Sequence, residues 1–154
     1  PEGGRGLGTS MARAAQWNGI PGYIEKSNEE ICVIIQVETA NAVEQLDDIL
    51  KVDGIDGVFL GPSDLSASMG YPGNAGHPEV KKTLGQSLRK IRAADKIAGL
   101  LCLDPEIRDY YIDHGAQFIG VGVDTLLMAQ SARKLAIECH DRGENDNETN
   151  PASY

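Results

Sequence analysis

Two carboxylates follow two neighbouring apolar runs that have the composition of β-strands. Glu38 comes directly after residues 31–37, and Asp64 comes after residues 57–61 and the turn Pro62-Ser63. Parallel strands joined by helices end on the same side of their sheet, so the two carboxylates are predicted to lie about one strand spacing (~5 Å) apart. Such a pair can hold a hard divalent cation such as Mg²⁺, which leaves its other positions to water and substrate oxygens. The residues leave a second interpretation open, in which Glu38 pairs with an Arg or Lys and Asp64 caps a helix.

Four strand–helix units are predicted to position these carboxylates. The strands are near-continuous apolar runs, which is typical of a parallel sheet that is buried on both faces and covered by helices. Four units amount to half of an eight-stranded (β/α)₈ barrel, and a four-stranded open doubly wound sheet is the alternative. We expect a partial barrel domain over residues 1–143 and a polar, disordered tail over residues 144–154. The predicted strands are 31–37, 57–61, 98–103 and 118–123, and the helices that follow them are 41–51, 78–94, 105–114 and 124–141.

The segment between the second strand and its helix runs from Pro62 to His77 and is rich in glycine and proline. Loops longer than about 12–15 residues in a compact domain are usually functional. This one leaves from the strand end where the active sites of barrels lie. His77 directly precedes the next helix, which is typical of a turn or capping residue, with a catalytic base as the alternative.

Composition excludes several classes of protein. The 154 residues carry a net charge of −9, and only 5% are aromatic, so a nucleic-acid partner is not expected. No apolar stretch is long enough for a membrane span, and no membrane partner is expected. Three widely separated cysteines, Cys32, Cys102 and Cys139, lie in apolar sequence. They are predicted to be buried thiols of a reducing compartment, which indicates a cytoplasmic protein.

The run Gly57-Val-Phe-Leu-Gly-Pro-Ser-Asp-Leu65, with its extension to His77-Pro-Glu-Val80, resembles a signature of the HpcH/HpaI family of metal-dependent pyruvate aldolases. The resemblance begins at Arg5-Gly-Leu-Gly8, passes through Gln36-Val-Glu-Thr39 and ends at Gly120-Val-Gly-Val-Asp124. It covers nearly the whole chain and implies the later half of a (β/α)₈ barrel.

The resemblance also implies roles for individual residues. Glu38 and Asp64 match the two metal ligands. Gly61 and Ser63 match positions whose backbone N–H groups bind the carboxylate of pyruvate, and Leu101 matches a wall of the substrate pocket, with a buried core residue as an equal alternative. The family places its catalytic histidine, the acidic partner of that histidine and a pyruvate-binding arginine in the first four units. No catalytic residue is therefore assigned in this chain.

The implied reaction is the reversible cleavage of a 2-keto-4-hydroxy acid to pyruvate and an aldehyde, assisted by Mg²⁺, Mn²⁺ or Co²⁺. The expected partners are these small molecules and further copies of the chain, since the full-length family forms hexamers. A non-catalytic half barrel that acts only as a fragment or assembly piece is the alternative function.

Overall fold

The computed structural model describes residue 4 and residues 6–149, with side-chain surroundings as far as residue 140. Arg5 of the predicted Arg-Gly motif lies outside the described residues, as do the last residues of the predicted tail, 150–154. None of the described helices has the length and apolar content that a membrane crossing needs.

Four parallel strands form one sheet in their sequence order. Ile34 pairs with Gly57, which pairs with Ile97 on its other side. A doubly wound sheet reverses its strand order at a switch point, whereas a barrel adds strands consecutively, so the observed order is that of the predicted half barrel. The strands are β1 (Ile34–Val37), β2 (Gly57–Leu60), β3 (Ile97–Leu101) and β4 (Phe118–Gly120).

Seven helices accompany the strands in the described part of the chain. Two short turns of 3₁₀-helix, Thr9–Met11 and Arg13–Ala15, precede them. Pro62, Pro78 and Pro105 occupy the first turns of three of the helices, where a missing N–H costs nothing. The helices are α1 (Tyr23–Glu30), α2 (Ala40–Glu44), α3 (Leu46–Ile49), α4 (Pro62–Ser68), α5 (Pro78–Ala93), α6 (Pro105–Asp113) and α7 (Asp124–Thr149).

The core lies between one face of the sheet and the helices. Strand residues Val58, Leu60 and Leu100 are fully buried there. The helix α5 covers them with an apolar stripe at helical spacing, as its sequence predicts. Its buried apolar residues are Val80, Leu84, Leu88 and Ile91.

The opposite face of the sheet is open in the described residues, so the prediction of two buried faces is wrong for this chain. Phe118 is 51% exposed and contacts Phe59 edge to face, with 5.7 Å between the ring centroids. Gly99 makes room for this pair, because a Cβ there would lie 2.9 Å from Cδ2 of Phe59. In a closed barrel this face would be the interior, and its apolar side chains would be covered by the other strands.

Several predicted element boundaries differ from the structure: β1 begins at Ile34 rather than at residue 31, β4 ends at Gly120 rather than at residue 123, and the helix predicted at 41–51 is divided into α2 and α3. The segment after β2 was predicted to be a loop from Pro62, but α4 occupies its first seven residues. Pro62 and Ser63 can begin a helix as readily as a turn, so composition alone did not separate the two. The last helix, predicted to end near residue 141, continues to Thr149. The division of the chain at residue 143 stays a prediction.

The cysteines do not share one environment. Cys102 is buried, as predicted, whereas Cys32 and Cys139 are exposed, so the prediction of three buried thiols is wrong. Cys32 precedes β1 rather than lying in it, and the described side chains of α7 between residues 130 and 140 face solvent. An apolar sequence neighbourhood therefore did not imply burial.

His77 caps the start of α5, as its position predicts. Its Nδ1 accepts a hydrogen bond from the backbone N–H of Glu79 at 3.3 Å, and its ring stacks on Tyr71 with 3.6 Å between centroids. Replacing His77 by alanine should lower the free energy of unfolding by about 1 kcal/mol, because a free helix N–H loses its acceptor. His77→Asn keeps an acceptor and should lose less of that stability. Urea unfolding of the two variants checks this, and equal stability of His77→Ala and the original chain would contradict the capping role.

Candidate active site

Glu38 extends β1 at its carboxyl end. Val37 is buried and pairs with Leu60 of β2, which fixes the height of Glu38 above the neighbouring strand. The Glu38 side chain is partly buried, and its Oε1 accepts a hydrogen bond from Nε2 of Gln36 at 2.8 Å. This bond orients the carboxylate from the same face of the strand, since residues two apart point the same way.

Gly61 is the residue over which the Glu38 side chain lies. A Cβ placed on Gly61 would be 2.8 Å from Cγ of Glu38 and 3.0 Å from its Oε1. Only glycine leaves the carboxylate this space, because real Cβ atoms do not approach other heavy atoms so closely. The Glu38 carboxylate is thereby held against the turn that leads into α4.

Asp64 lies in the first turn of α4, three residues after Gly61. Its side chain is exposed, and it makes no hydrogen bond or ion pair with any residue in the described ranges. The second interpretation, in which Glu38 pairs with an Arg or Lys and Asp64 caps a helix, is therefore not observed. No side chain caps α4, and Glu38 is in none of the ion pairs found among described side chains. The two carboxylates share one edge of the sheet with their negative charges uncompensated by a neighbouring cation.

The donor set at this edge consists of two carboxylates. Within residues 4 and 6–149, no three His, Cys, Asp or Glu side chains gather into a group that could hold a metal ion. Sites for zinc need three or four protein ligands, whereas Mg²⁺ takes one or two carboxylates and keeps several waters. The residues present therefore fit a hard cation that is completed by water and substrate.

The amides of the turn differ in availability. The N–H of Gly61 donates to the carbonyl of Val37 at 3.1 Å, so it already has an acceptor. Ser63 follows Pro62 in the first helical turn, where backbone N–H groups have no intrahelical acceptor. Its carbonyl accepts from the buried hydroxyl of Ser66 at 2.7 Å, which fixes the turn. Of the two predicted carboxylate donors, Ser63 has the freer amide.

A cavity of about 300 Å³ lies beside this turn. It brings together Ser63 and Leu101, the two residues to which the family resemblance assigns pyruvate binding and a wall of the substrate pocket. Leu101 is partly exposed and is not one of the fully buried core residues. The walls come from the start of α4, the following loop, the end of β3 and α6: Pro62, Ser63, Ala75, Gly76, Leu101, Cys102, Leu103, Asp104, Ile107 and Tyr111.

The outer wall of the cavity was missed by the sequence analysis. Burial raises the pKa of the Cys102 thiol, and burial raises the pKa of Tyr111 to about 12, so both groups are neutral near pH 7. The thiol of Cys102 donates to the carbonyl of Asp104 at 3.2 Å, and Oδ1 of Asp104 accepts from the N–H of Glu106 at 2.8 Å. The signal that could have found this wall is Asp104-Pro105, a helix start directly after a strand.

Two histidines of the body of the fold are engaged in structural contacts. His77 caps α5 as described. His114 ends α6, where its Nδ1 lies 2.7 Å from the carbonyl of Tyr110 and its ring lies over that of Tyr110. Gly85 leaves space for this ring, since a Cβ there would be 2.6 Å from Cδ2 of His114. Neither histidine lines the cavity beside Ser63.

Comparison of the sequence with protein-family models identifies a family that covers most of the chain. Residues 2–131 match the model of the HpcH/HpaI aldolase/citrate lyase family. A 2-keto-3-deoxy-L-rhamnonate aldolase of Klebsiella pneumoniae is 53% identical over 138 residues, covering 89% of this chain and 52% of that protein. A 4-hydroxy-2-oxo-heptane-1,7-dioate aldolase of Shigella sonnei is 48% identical over 136 residues, covering 88% of this chain and 52% of that protein.

Solved structures give the same assignment of the fold. An HpcH/HpaI aldolase/citrate lyase family protein of Burkholderia cenocepacia superposes with a TM-score of 0.75 at 30% identity, covering 88% of this chain and 52% of that one. An HpcH/HpaI aldolase of Desulfitobacterium hafniense gives a TM-score of 0.70 at 28% identity, covering 89% and 54%. The chain thus spans about half the length of the curated relatives it matches, and its fold is part of a (β/α)₈ barrel.

Proposed function

Because the chain belongs to the HpcH/HpaI aldolase/citrate lyase family, we propose that it forms the second half of a divalent-metal-dependent aldolase. The enzyme cleaves a 2-keto-4-hydroxy acid reversibly to pyruvate and an aldehyde. The observation that carries the proposal is the position of the Glu38 carboxylate against Gly61, at the start of the helix that bears Asp64. Since the chain spans about half of its relatives, the activity is proposed for a complete barrel, meaning this chain preceded by four further βα units.

Glu38 and Asp64 would hold the cation, for which Mg²⁺, Mn²⁺ and Co²⁺ are the candidates. When bound, such a cation supplies Lewis-acid polarisation of the keto oxygen of the substrate. Gln36 contributes by fixing one oxygen of Glu38, which leaves the other oxygen and the exposed Asp64 side chain for the cation. No third His, Cys, Asp or Glu joins the two carboxylates within the described part of the chain, which leaves room for two oxygens of a keto acid and for water.

Ser63 and Leu101 would orient the pyruvate portion. The N–H of Ser63, in a turn of small residues, can donate to the carboxylate of pyruvate. The second predicted donor, Gly61, would have to share its N–H with Val37, to which it now donates. Leu101 lines the same cavity and would contact the methyl or methylene carbon of the bound keto acid.

Proton transfer is assigned to residues of the first four units. His77 serves as a helix cap, and the ring of His114 packs on that of Tyr110. A base must reach the proton it removes within hydrogen-bond distance, directly or through one water. We therefore place the base, its acidic partner and the pyruvate-binding arginine before this half of the barrel.

Ser63 should act through its backbone. In a complete barrel, Ser63→Ala keeps the N–H and should retain kcat/KM within a few-fold, whereas Ser63→Pro removes it and should cost about 10²-fold or more. Pyruvate release is the measurement, with the unfolding midpoint of each variant recorded alongside it. Equal losses in the two variants would mean that the hydroxyl acts instead.

The proposed function is tested by an assay coupled to lactate dehydrogenase. The test protein is the full-length protein, or this chain joined behind the first four βα units of the Klebsiella pneumoniae relative. Oxidation of NADH reports pyruvate released from a 4-hydroxy-2-oxo acid, with Mg²⁺, Mn²⁺ or Co²⁺ added and with EDTA as the control. If none of the hydroxy-oxo acids tried gives metal-dependent pyruvate release, the proposed function is wrong.

A non-catalytic assembly piece is the second candidate function. The exposed Phe118 and the open face of the sheet favour it, because an uncovered apolar face needs a partner.

For the complete barrel we propose a cytoplasmic homo-oligomer, with a hexamer as the expected state. Size-exclusion chromatography with light scattering distinguishes a hexamer from smaller assemblies.

A further inference from the structure

The cavity beside Ser63 has a chemistry of its own that the aldolase assignment does not specify. We propose that it receives the aldehyde-side end of the substrate and that Asp104 makes it selective for an uncharged end. The preferred substrates would then be 2-keto-4-hydroxy acids without a second carboxylate. This inference rests on the proposed aldolase function and deepens it.

The position of the cavity connects it to the reacting part of the substrate. Ser63 and Leu101, the residues proposed to orient pyruvate, form part of its wall. Leu103, together with Ile107 and Tyr111 of α6, also lines the cavity. Its volume of about 300 Å³ lies at the lower end of ligand pockets, which span roughly 300–1,000 Å³. A substrate whose keto-acid end lies at Ser63 can therefore place its other end against α6.

The lining of the cavity is apolar apart from one charge. No Lys or Arg is among its lining residues, and Asp104 is the only lining residue with a carboxylate. The other two titratable groups, Cys102 and Tyr111, stay protonated because burial raises the pKa of each. Contact with Leu101, Leu103 and Ile107 favours apolar carbon, which gains free energy on leaving water.

Asp104 is held in place by the start of α6. Its Oδ1 accepts the N–H of Glu106 at 2.8 Å, and its carbonyl accepts the Cys102 thiol at 3.2 Å. It makes no ion pair with any described side chain. A second carboxylate on the substrate would enter a partly apolar space against this fixed negative charge, which raises the free energy of the bound state.

The positive charge of Arg108, near the cavity, would favour a carboxylate-ended substrate instead. Arg108 lies close enough to Cys102 to oppose the rise in its pKa, and its Nε is buried without a hydrogen-bond partner among the described residues. Arg108 does not, however, line the cavity. Asp104 is in contact with the cavity itself, so we expect its charge to decide which end group is accepted.

A matched pair of substrates tests the selection in the complete barrel. The products of pyruvate with butanal and with succinic semialdehyde, 4-hydroxy-2-oxoheptanoate and 4-hydroxy-2-oxoheptanedioate, have the same chain length and differ in a terminal methyl against a terminal carboxylate. We expect kcat/KM for the methyl-ended acid to be about fivefold higher, as for one unfavourable charge pair about 4 Å apart in surroundings close to bulk water, because Asp104 is exposed.

Asp104→Asn removes the charge and keeps a good N-cap. It should reduce the preference to about twofold, mainly by raising kcat/KM for the carboxylate-ended acid. Glu106→Gln is the matched control, because Glu106 is a neighbouring exposed carboxylate outside the lining, and it should leave the ratio unchanged. Circular dichroism and the unfolding midpoint verify that both variants fold.

The outcomes separate the two proposals. Pyruvate release from neither acid would overturn the aldolase function and this inference with it. Pyruvate release with equal kcat/KM for both acids, or faster cleavage of the carboxylate-ended one, would leave the aldolase function standing and overturn the selection, with Arg108 as the group to examine next. A ratio that Asp104→Asn does not change would show that Asp104 is not its cause.

Discussion

Replacing Glu38 or Asp64 by alanine should abolish divalent-metal binding and lower kcat/KM of the complete barrel about 10³-fold or more. With Glu38 and Asp64 as the two proposed protein ligands, each carboxylate would supply half of the protein's negative charge at the cation, and the single carboxylate left after either substitution would compete poorly with water for it. The lost polarisation of the keto oxygen is worth several kcal/mol of transition-state stabilisation. No other effect proposed for this chain is expected to be as large.

The measurement that is independent of activity is calorimetric titration with Mn²⁺ in the presence of pyruvate. The original protein should give a binding signal that is lost in Glu38→Ala and in Asp64→Ala. Asp47→Ala is the control, because Asp47 is an exposed helix carboxylate that pairs with Lys90 at 2.9 Å. Lys90 lies in the last turn of α5, so this pair is away from the carboxyl ends of the strands, where Glu38 and Asp64 lie. Unchanged titrations in both site variants would show that the cation, if any, binds elsewhere.

Strand and helix identity could be predicted from local pattern, and the two carboxylates with it. Near-continuous apolar runs predicted all four strands, and the placement of Glu38 and Asp64 at adjacent strand ends followed from parallel topology. The resemblance then supplied the role of Leu101, which local pattern alone does not distinguish from a core residue.

What could not be predicted depends on contacts between distant parts of the chain. The Gly61 amide donates to Val37, and the cavity wall forms where Asp104 and Ile107 meet the loop around Gly76. These contacts join segments far apart in sequence, which periodicity does not report. The same limit explains the cysteines: Cys102 belongs to the buried core at a strand end, whereas Cys139 lies in the stretch 130–140 of α7, whose side chains are exposed.

The 154 residues by themselves should show no aldolase turnover. The chain spans about half of its relatives, and proton transfer by a positioned group usually contributes about 10²–10⁴-fold. The histidines of the packed body are occupied as a cap and in a ring stack. The open face of the sheet, with Phe118 51% exposed, also leaves the site in contact with water, which weakens every electrostatic interaction in it.

The test compares the 154-residue chain with the complete barrel in the assay coupled to lactate dehydrogenase, at equal concentrations and with Mn²⁺ present. We expect pyruvate release from the complete barrel only.

Adding a separately produced chain of the first four βα units should restore part of the activity if the halves associate through the open face. Phe118→Asp should prevent this restoration without changing the fold of the half. Turnover by the 154 residues alone near that of the complete barrel would place the base within this sequence. Loss of that turnover in His77→Ala, with His77→Asn equally inactive, would then identify His77 as the base, since asparagine retains a cap but cannot accept the proton.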